Sequence, residues 1–243
     1  MTSAFSIQSP HRPFLAWTSV AVAGLAAPAL LLLAMAGAPA EGRPIAPMGA
    51  ILAVGMMGAG MIGAAAAGRL LIGLALALVC GVGLATLASA SGQAGFPDPA
   101  SLGLAFLLAS ISFAARGALF ARSAQGRGWW IAVAVVGGEG AMLFVAWAQP
   151  GALPDWLLAL LPAQWASAAI RSAFSEAGAT LAVWELAALA GTAAATLLVV
   201  RLWPRRWPYL IMFTAWLGLS ALVLHRPGLP DEAPAQPPLA AAR

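Results

Sequence analysis

Glu139 is an acidic residue in the middle of a long apolar run of this 243-residue chain. Gly137, Gly138 and Gly140 flank it, and tryptophans stand near both ends of the run. A charge at the centre of a bilayer costs about 2.5–3.5 kcal/mol on insertion scales, so such side chains usually face a bundle interior, a partner or water. The sequence favours a proton- or cation-responsive carboxylate in a transport path, with glycines that admit a helix or a ligand. The alternative is a protonated Glu139 that hydrogen-bonds to a neighbouring helix for packing.

Glu185 is the second candidate, because it lies inside the sixth apolar run beside Trp184. Its position near the outer end of that run favours snorkelling of the side chain to the interface. The alternative is that Glu185 joins Glu139 in an externally open cavity, on the same side as Arg171. Glu139 and Glu185 are therefore the candidates for transport or for a response to protons.

Basic side chains gather near the ends of the apolar runs, and all twelve are arginines. Arg116 follows about 16 apolar residues of the fourth run, so we expect it to snorkel to the cytoplasmic face beside Arg122 and Arg127. A second basic group is interleaved with Trp203 and Trp207. We expect these arginines to contact anionic lipid headgroups, or else a docked cytoplasmic protein. The candidate contacts are Arg116, Arg122, Arg127, Arg201, Arg205 and Arg206.

Several kinds of chemistry are excluded by residues that the sequence lacks. His11 and His225 are the only histidines and lie outside the apolar runs, which excludes an intramembrane bis-histidine haem and a histidine-rich metal site. There is no lysine for a retinal Schiff base, only one cysteine (Cys80) and no Walker motif. We therefore predict no metal, no cofactor and no nucleic-acid partner. An intramembrane enzyme is the weakest hypothesis, because carboxylates are the only acid–base groups available.

Composition indicates the class of protein. Hydrophobic residues make up 62% of the chain and charged residues 8%, against about 25% charged residues in soluble domains. A membrane-spanning helix needs about 20 apolar residues, and seven runs qualify. We therefore predict an all-α integral membrane protein of a bacterial inner membrane, with a bundle of seven transmembrane helices. The predicted spans are 14–37, 46–67, 70–90, 100–119, 129–148, 179–200 and 207–224.

The segment 153–174 is also apolar, but Pro162 divides it, and Asp155 and Arg171 lie near its ends. Arginine-rich loops mark the cytoplasmic side of a membrane protein. If this segment does not span, most loop arginines fall on one side and most acidic residues on the other; if it spans, the asymmetry is lost. We therefore predict a cytoplasmic N-terminus, an external C-terminus and an interfacial or re-entrant pair of short helices at 153–174.

The two ends of the chain lie outside the seven-helix domain of residues 14–224. Residues 1–13 are predicted to form a short cytoplasmic segment. The first apolar run is longer than the apolar region of a signal peptide, which has about 7–15 residues, so we interpret it as a retained span. Residues 225–243 are rich in proline and alanine without periodicity, which predicts a disordered tail.

Small residues at four-residue spacing run along the second and third spans. Such residues let helix backbones approach closely within a membrane. Ordinary helix packing in a chain rich in alanine and glycine is the favoured interpretation, and a sliding or dimerising interface is the alternative. The two lines are Gly60, Ala64 and Gly68, and Gly73, Ala77 and Gly81.

Two stretches resemble parts of known membrane proteins. The segment 153–206 resembles the end of an ABC-2-type permease, with a short Pro/Trp-bearing pair, a last span and basic residues after it. The seventh span departs from that pattern. Residues 139–147 are similar to the glutamate-bearing helix of cytochrome oxidase subunit III, but the histidines of that family do not follow. Neither resemblance transfers a residue role to this chain.

Two classes of function follow from these features. The favoured one is a transporter or a membrane permease subunit with Glu139 in its path. The alternative is a non-catalytic integral subunit, or an assembly scaffold, of a larger membrane complex. The predicted partners are the lipid bilayer with its anionic lipids, other membrane subunits and, for an ATP-driven process, a separate cytoplasmic ATPase.

Overall fold

Among the residues that the structure describes, seven helices are long and apolar enough to cross a membrane. They confirm the predicted all-α membrane class and the predicted number of spans. The computed structural model describes residues 11–37, 46–93, 98–174, 182–205 and 207–225. The seven helices are Phe14–Ala36, Pro47–Ala67, Leu70–Ala90, Pro99–Ala124, Gly128–Ala148, Val183–Arg201 and Trp207–Leu224.

The α-helical segments within the described ranges build these spans and the connections between them. A π-helical turn at Val22–Ala26 joins α1 to α2, and another at Gly58–Ile62 joins α3 to α4, so each of the first two spans is continuous. A 3-10 turn at Gln125–Arg127 joins α6 to α7. The segments are α1 His11–Ala21, α2 Ala27–Ala36, α3 Ala46–Met57, α4 Gly63–Ala67, α5 Leu70–Ala90, α6 Pro99–Ala124, α7 Gly128–Ala148, α8 Asp155–Ala159, α9 Pro162–Ala173, α10 Val183–Arg201 and α11 Trp207–Leu224.

The end of the fourth span differs from the sequence-based prediction. The fourth helix continues to Ala124 instead of ending near residue 119, so Arg116 lies about two turns before the end of the helix. Alanine and arginine have high helix propensity, so the helix persists after the apolar run has ended. The predicted start of the sixth span at residue 179 lies outside the described residues, as do residues 1–10 and 226–243 of the two predicted terminal segments.

The second and fourth spans form the centre of the bundle. Their most apolar windows are 72% and 61% buried, against 22% for the fifth span and 11% for the seventh. The outer spans therefore present large apolar side chains outward, such as Phe144 on α7 and Leu210 on α11. Lipid is the natural neighbour of such surfaces.

The small-residue lines of the second and third spans pack against each other within one chain. A Cβ atom added at Gly60 would lie 2.9 Å from the Cβ of Ala77, and one added at Gly73 would lie 2.5 Å from the Cβ of Ala64 and clash with the Gly60 carbonyl oxygen. Gly68 is the exception, because it has a φ of +64° and ends α4 in the tight turn before α5. The lines thus serve helix packing, the favoured interpretation, and their contact leaves this surface no room for a second copy.

Gly73→Ala should lower the apparent melting temperature of the purified protein in mild detergent, because the new methyl group forces the second and third spans apart. Overpacking of this kind typically costs about 1–3 kcal/mol. Gly83→Ala is the matched control on the same helix, since nothing lies within 4 Å of the added Cβ there. Equal melting temperatures for the two variants would contradict the packing described for α4 and α5.

Arginines from four separate elements gather at one end of the bundle. A small apolar cluster of Ala118, Leu119, Val199 and Val200 brings the end of α6 to the end of α10, with Leu70 and Tyr209 packed against it. The start of α5 and the start of α11 therefore lie at the same end. The side chain of Arg122 reaches across this end and donates to the carbonyl oxygen of Val200. The arginines at or next to these helix ends are Arg69, Arg122, Arg127, Arg201 and Arg205.

The segment 153–174 folds as two short helices, as predicted, and only the first of them lies at the surface of the bundle. The first, α8, carries the exposed Asp155 and Trp156. The second, α9, packs against α3, α6 and α10, and its Trp165 and Ile170 are fully buried. The turn between the two helices, residues 160–161, therefore leads into the interior.

Candidate functional site: the buried Arg116–Glu139 pair

Glu139 belongs to the one stripe of α7 that faces the bundle. Ala132, Val136, Glu139 and Leu143 are all buried and recur every three or four residues, so they share one side of the helix. The sequence suggested that the flanking glycines admit a neighbouring helix, but no helix among the described residues packs closely against them. A Cβ added at Gly137 or Gly138 would meet nothing within 4 Å, whereas a Cβ at Gly140 would make ordinary contact with Val54 at 3.4 Å.

Arg116 is the partner of Glu139. Its Nη2 donates to Glu139 Oε1 at 2.7 Å, and the two side chains are 21% and 8% exposed. The expectation that Arg116 snorkels to the cytoplasmic face therefore differs from the structure. Side chains on a helix lean toward its N-terminus, so Arg116 extends back along α6, away from the arginine-rich end at Ala124. We expected snorkelling to carry the positive charge of Arg116 out of the apolar region. Instead, the charge stays in that region and the buried carboxylate of Glu139 compensates it.

The second oxygen of Glu139 contacts the N-terminus of α9. The backbone N–H of Ala163 donates to Glu139 Oε2 at 3.0 Å. Pro162 occupies the first turn of α9, and its preceding residue, Leu161, provides no side-chain cap. The first N–H groups of a helix have no partner within the helix, and the helix dipole favours negative charge there. Glu139 supplies this cap from a different span.

Two tryptophans satisfy the carbonyl groups of the same turn. Trp165 Nε1 donates to the Ala159 carbonyl oxygen at 2.9 Å, and Trp216 Nε1 donates to the Leu160 carbonyl oxygen at 3.2 Å. Irregular backbone at membrane depth persists only where the protein itself satisfies its polar groups. Glu139, Trp165 and Trp216 together do this for the turn between α8 and α9.

The pair lies close to the middle of a span. At roughly 1.5 Å per residue, Glu139 is about 16 Å along the axis from Gly128 and about 14 Å from Ala148. The turn before α9 must reach the same depth, because Ala163 is bonded to Glu139. The turn between α8 and α9 and the Arg116–Glu139 ion pair thus lie together, close to the middle of the spans.

Two donors beside the pair remain unused. Arg116 Nη1 is a buried atom without a hydrogen-bond partner in the part of the chain that the structure describes. Ser112 lies one turn earlier on the same face of α6; it is 1% exposed, and its Oγ likewise lacks a partner among the described residues. The guanidinium therefore engages Glu139 through one nitrogen only, and a second donor site stays open next to it.

Glu185 is buried on α10, with 2% of its surface exposed. This differs from the snorkelling interpretation, which placed the side chain at the interface. The described hydrogen-bond partners of Glu139 are Arg116 and Ala163, so Glu185 is not bonded to it. Arg171, which the alternative interpretation placed on the same side of the membrane as the cavity, is exposed on α9.

The other candidate arginines are separate from the pair. Arg122, Arg127, Arg201 and Arg205 are exposed at the same end of the bundle, and Arg206 lies outside the described residues. Contact with lipid headgroups or with a partner stays a prediction for all of them. Among the described residues, no group of three or more His, Cys, Asp or Glu side chains is arranged to hold a metal ion.

No protein-family model matches the chain, and neither a curated protein nor a solved structure shows significant similarity to it. The interpretation of the site therefore depends on its own geometry.

Proposed function

We propose that the protein is an integral-membrane transporter, acting alone or as the permease subunit of a larger complex. The path passes the Arg116–Glu139 pair, and the turn before α9 is its closed gate. In this arrangement 153–174 is a re-entrant segment that enters from the external side. The arginine-rich end of the bundle faces the cytoplasm of a bacterial cell, where a partner ATPase could also contact it.

One observation supports this proposal most strongly: the ion pair meets a break in helical backbone near mid-span. Ionisable residues within spans are rare and usually mark substrate or ion pathways. Discontinuous helices near the midplane are a recurring way to build transporter binding sites. A pair that served only to join two helices would not require a buried turn beside it.

A scaffold function is the second candidate, favoured by one feature of the same site. Both oxygens of Glu139 are occupied by protein donors, so the carboxylate also acts as a cross-link between α6, α7 and α9. A scaffold subunit would use this cross-link for rigidity alone. The two functions predict different consequences when the charge is removed.

Glu139→Gln should abolish transport while the protein still folds, because glutamine keeps the shape and one acceptor but cannot carry the charge. The protein is purified with any subunits that accompany it, and a solute library is screened for compounds that raise its melting temperature, as ligands of a folded state do. Flux of a stabilising solute into proteoliposomes is then measured across a pH gradient. We expect the flux in Glu139→Gln to fall by about tenfold or more, and a tenfold change corresponds to a free-energy difference of about 1.4 kcal/mol.

Glu185→Gln is the matched control, because it replaces the other buried glutamate, which is not bonded to Arg116. Wild-type, pH-independent flux in Glu139→Gln would contradict a role for the pair in the path. If no solute crosses and the variant retains its normal complement of subunits, the scaffold function replaces the transporter.

A further inference from the structure

The Glu139 carboxylate occupies a site whose other members are all donors. They come from two other helices: the guanidinium of Arg116 on α6 and the backbone N–H of Ala163 at the start of α9. We propose that this is a binding site for a small carboxylate-bearing anion, and that Glu139 is its built-in competitor. The inference rests on the proposed transport function, for which it names the class of substrate.

The chemistry of the donors selects an anion. Arginine presents its N–H groups in a planar fork that matches a carboxylate, and it commonly binds one through two nitrogens. The N-terminus of a twelve-residue helix, α9, adds an N–H group and a favourable dipole. Glu139 already demonstrates the geometry, since one of its oxygens accepts from Arg116 and the other from Ala163.

The unused donors indicate that the site can hold more than the Glu139 carboxylate. Arg116 Nη1 and Ser112 Oγ are both buried and without a partner among the described residues. Ser112 and Arg116 are four residues apart on α6, so they share one face of the helix. A buried donor left unpaired destabilises the folded protein, and an external anion that accepts from it would remove that cost.

Proton uptake by Glu139 provides the exchange. A proton on the carboxylate removes its charge and weakens its bond to Arg116, which then lacks a counterion in an apolar environment. An external carboxylate can take the vacated position. One proton and one monovalent anion enter together, so the net charge of the site does not change and no uncompensated charge is left in the membrane.

No other described charged group near Glu139 replaces it as the proton-binding partner of Arg116. Among the described side chains on the elements around α7, Arg116 alone forms an ion pair with Glu139. The second span, which also contacts α7, supplies no titratable side chain in Ala46–Ala67. The charged or titratable residues on the packed elements are His11 and Arg12 on α1, Arg116 and Arg122 on α6, Arg127 in the 3-10 turn, and Arg171 on α9.

Binding of acetate and benzoate to the purified protein, measured as thermal stabilisation against concentration, tests the proposal. Tetramethylammonium chloride at equal ionic strength controls for salt effects. At neutral pH, where acetate and benzoate are anions, Glu139→Gln should bind them about tenfold more tightly than wild type, the size expected for one charged hydrogen bond. The reason is that glutamine does not compete as an anion for Arg116.

Three further variants locate the site. Arg116→Met should abolish binding, whereas Arg122→Met, an exposed arginine on the same helix, should leave it unchanged. Ser112→Ala removes a single unused donor and should weaken binding several-fold with little effect on folding, which keeps the test informative if Arg116→Met is unstable. Binding that survives Arg116→Met, or binding to Glu139→Gln that is no tighter than to wild type, would overturn the proposal.

The results also separate this inference from the proposed function. Carboxylate binding without flux in proteoliposomes would keep the anion site and overturn transport. Flux of a cation or a neutral solute, with no carboxylate binding, would keep transport and overturn the anion site.

Discussion

Arg116→Met should destabilise the protein more than loss of any exposed arginine, by about 3 kcal/mol. Removing one member of a buried ion pair leaves the other charge uncompensated, which typically costs about 3–5 kcal/mol. Arg116 is 21% exposed, so we place the effect at the lower end of this range. Unfolding in mild detergent, followed by tryptophan fluorescence against denaturant concentration, measures the change.

The double variant Arg116→Met/Glu139→Gln shows whether the loss comes from the pair. Once the carboxylate is neutral, removal of the arginine leaves no unpaired charge, so the double variant should be more stable than the sum of the single effects predicts. Contacting residues in such cycles show coupling of roughly 0.5–3 kcal/mol. Arg122→Met is the control, since Arg122 is exposed and ion-paired to no described residue. Additive single effects, or equal losses for Arg116→Met and Arg122→Met, would contradict a stabilising pair.

The number of spans could be predicted from the sequence because each span carries its own signal. A run of about 20 apolar residues is sufficient for a helix that crosses a bilayer, whatever its neighbours are. The turn Gly68–Arg69 and the division of 153–174 at Pro162 were visible for the same reason, since glycine and proline act on local backbone. The small-residue lines of the second and third spans were visible in local spacing, but which of their residues meet was not.

The partner of Glu139 could not be predicted in this way. Arg116 lies 23 positions earlier in the chain, and the rotation of α6 relative to α7 decides whether they meet. Sequence spacing does not reveal how one helix is rotated relative to another. An arginine close to the end of an apolar run is normally interpreted as snorkelling to the interface. The tilt of side chains toward the helix N-terminus was the available signal, because it directs Arg116 toward the middle of the span.

The cap on α9 was also invisible in the sequence. Its acceptor, Glu139, comes from another span, and the tryptophan that bonds to Leu160 comes from the last one. Capping signals are local when the capping residue precedes its own helix. Here the residue before α9 is Leu161, whose side chain has no hydrogen-bond acceptor. In an apolar segment, this was the one indication that a distant group must provide the cap.

Water access to the turn before α9 is expected to depend on the charge of Glu139. Leu161 is buried, with 8% of its surface exposed, and lies at the turn that Glu139 holds through Ala163. When Glu139→Gln weakens this bond, the turn should open more often, and the rate of any reaction at position 161 rises in proportion to the open fraction. A tenfold increase in this rate corresponds to a loss of about 1.4 kcal/mol in the free energy that favours the closed turn over the open one.

Thiol labelling of Leu161→Cys measures this most directly, in a Cys80→Ala background that removes the native cysteine. A membrane-impermeant maleimide is added to proteoliposomes, with Asp155→Cys, on the exposed α8, as the reactive control. We predict almost no labelling of Leu161→Cys when Glu139 is intact, and labelling about tenfold faster when Glu139→Gln is added. Rapid labelling with Glu139 intact, or an unchanged rate after Glu139→Gln, would contradict a buried turn held closed by the Arg116–Glu139 pair.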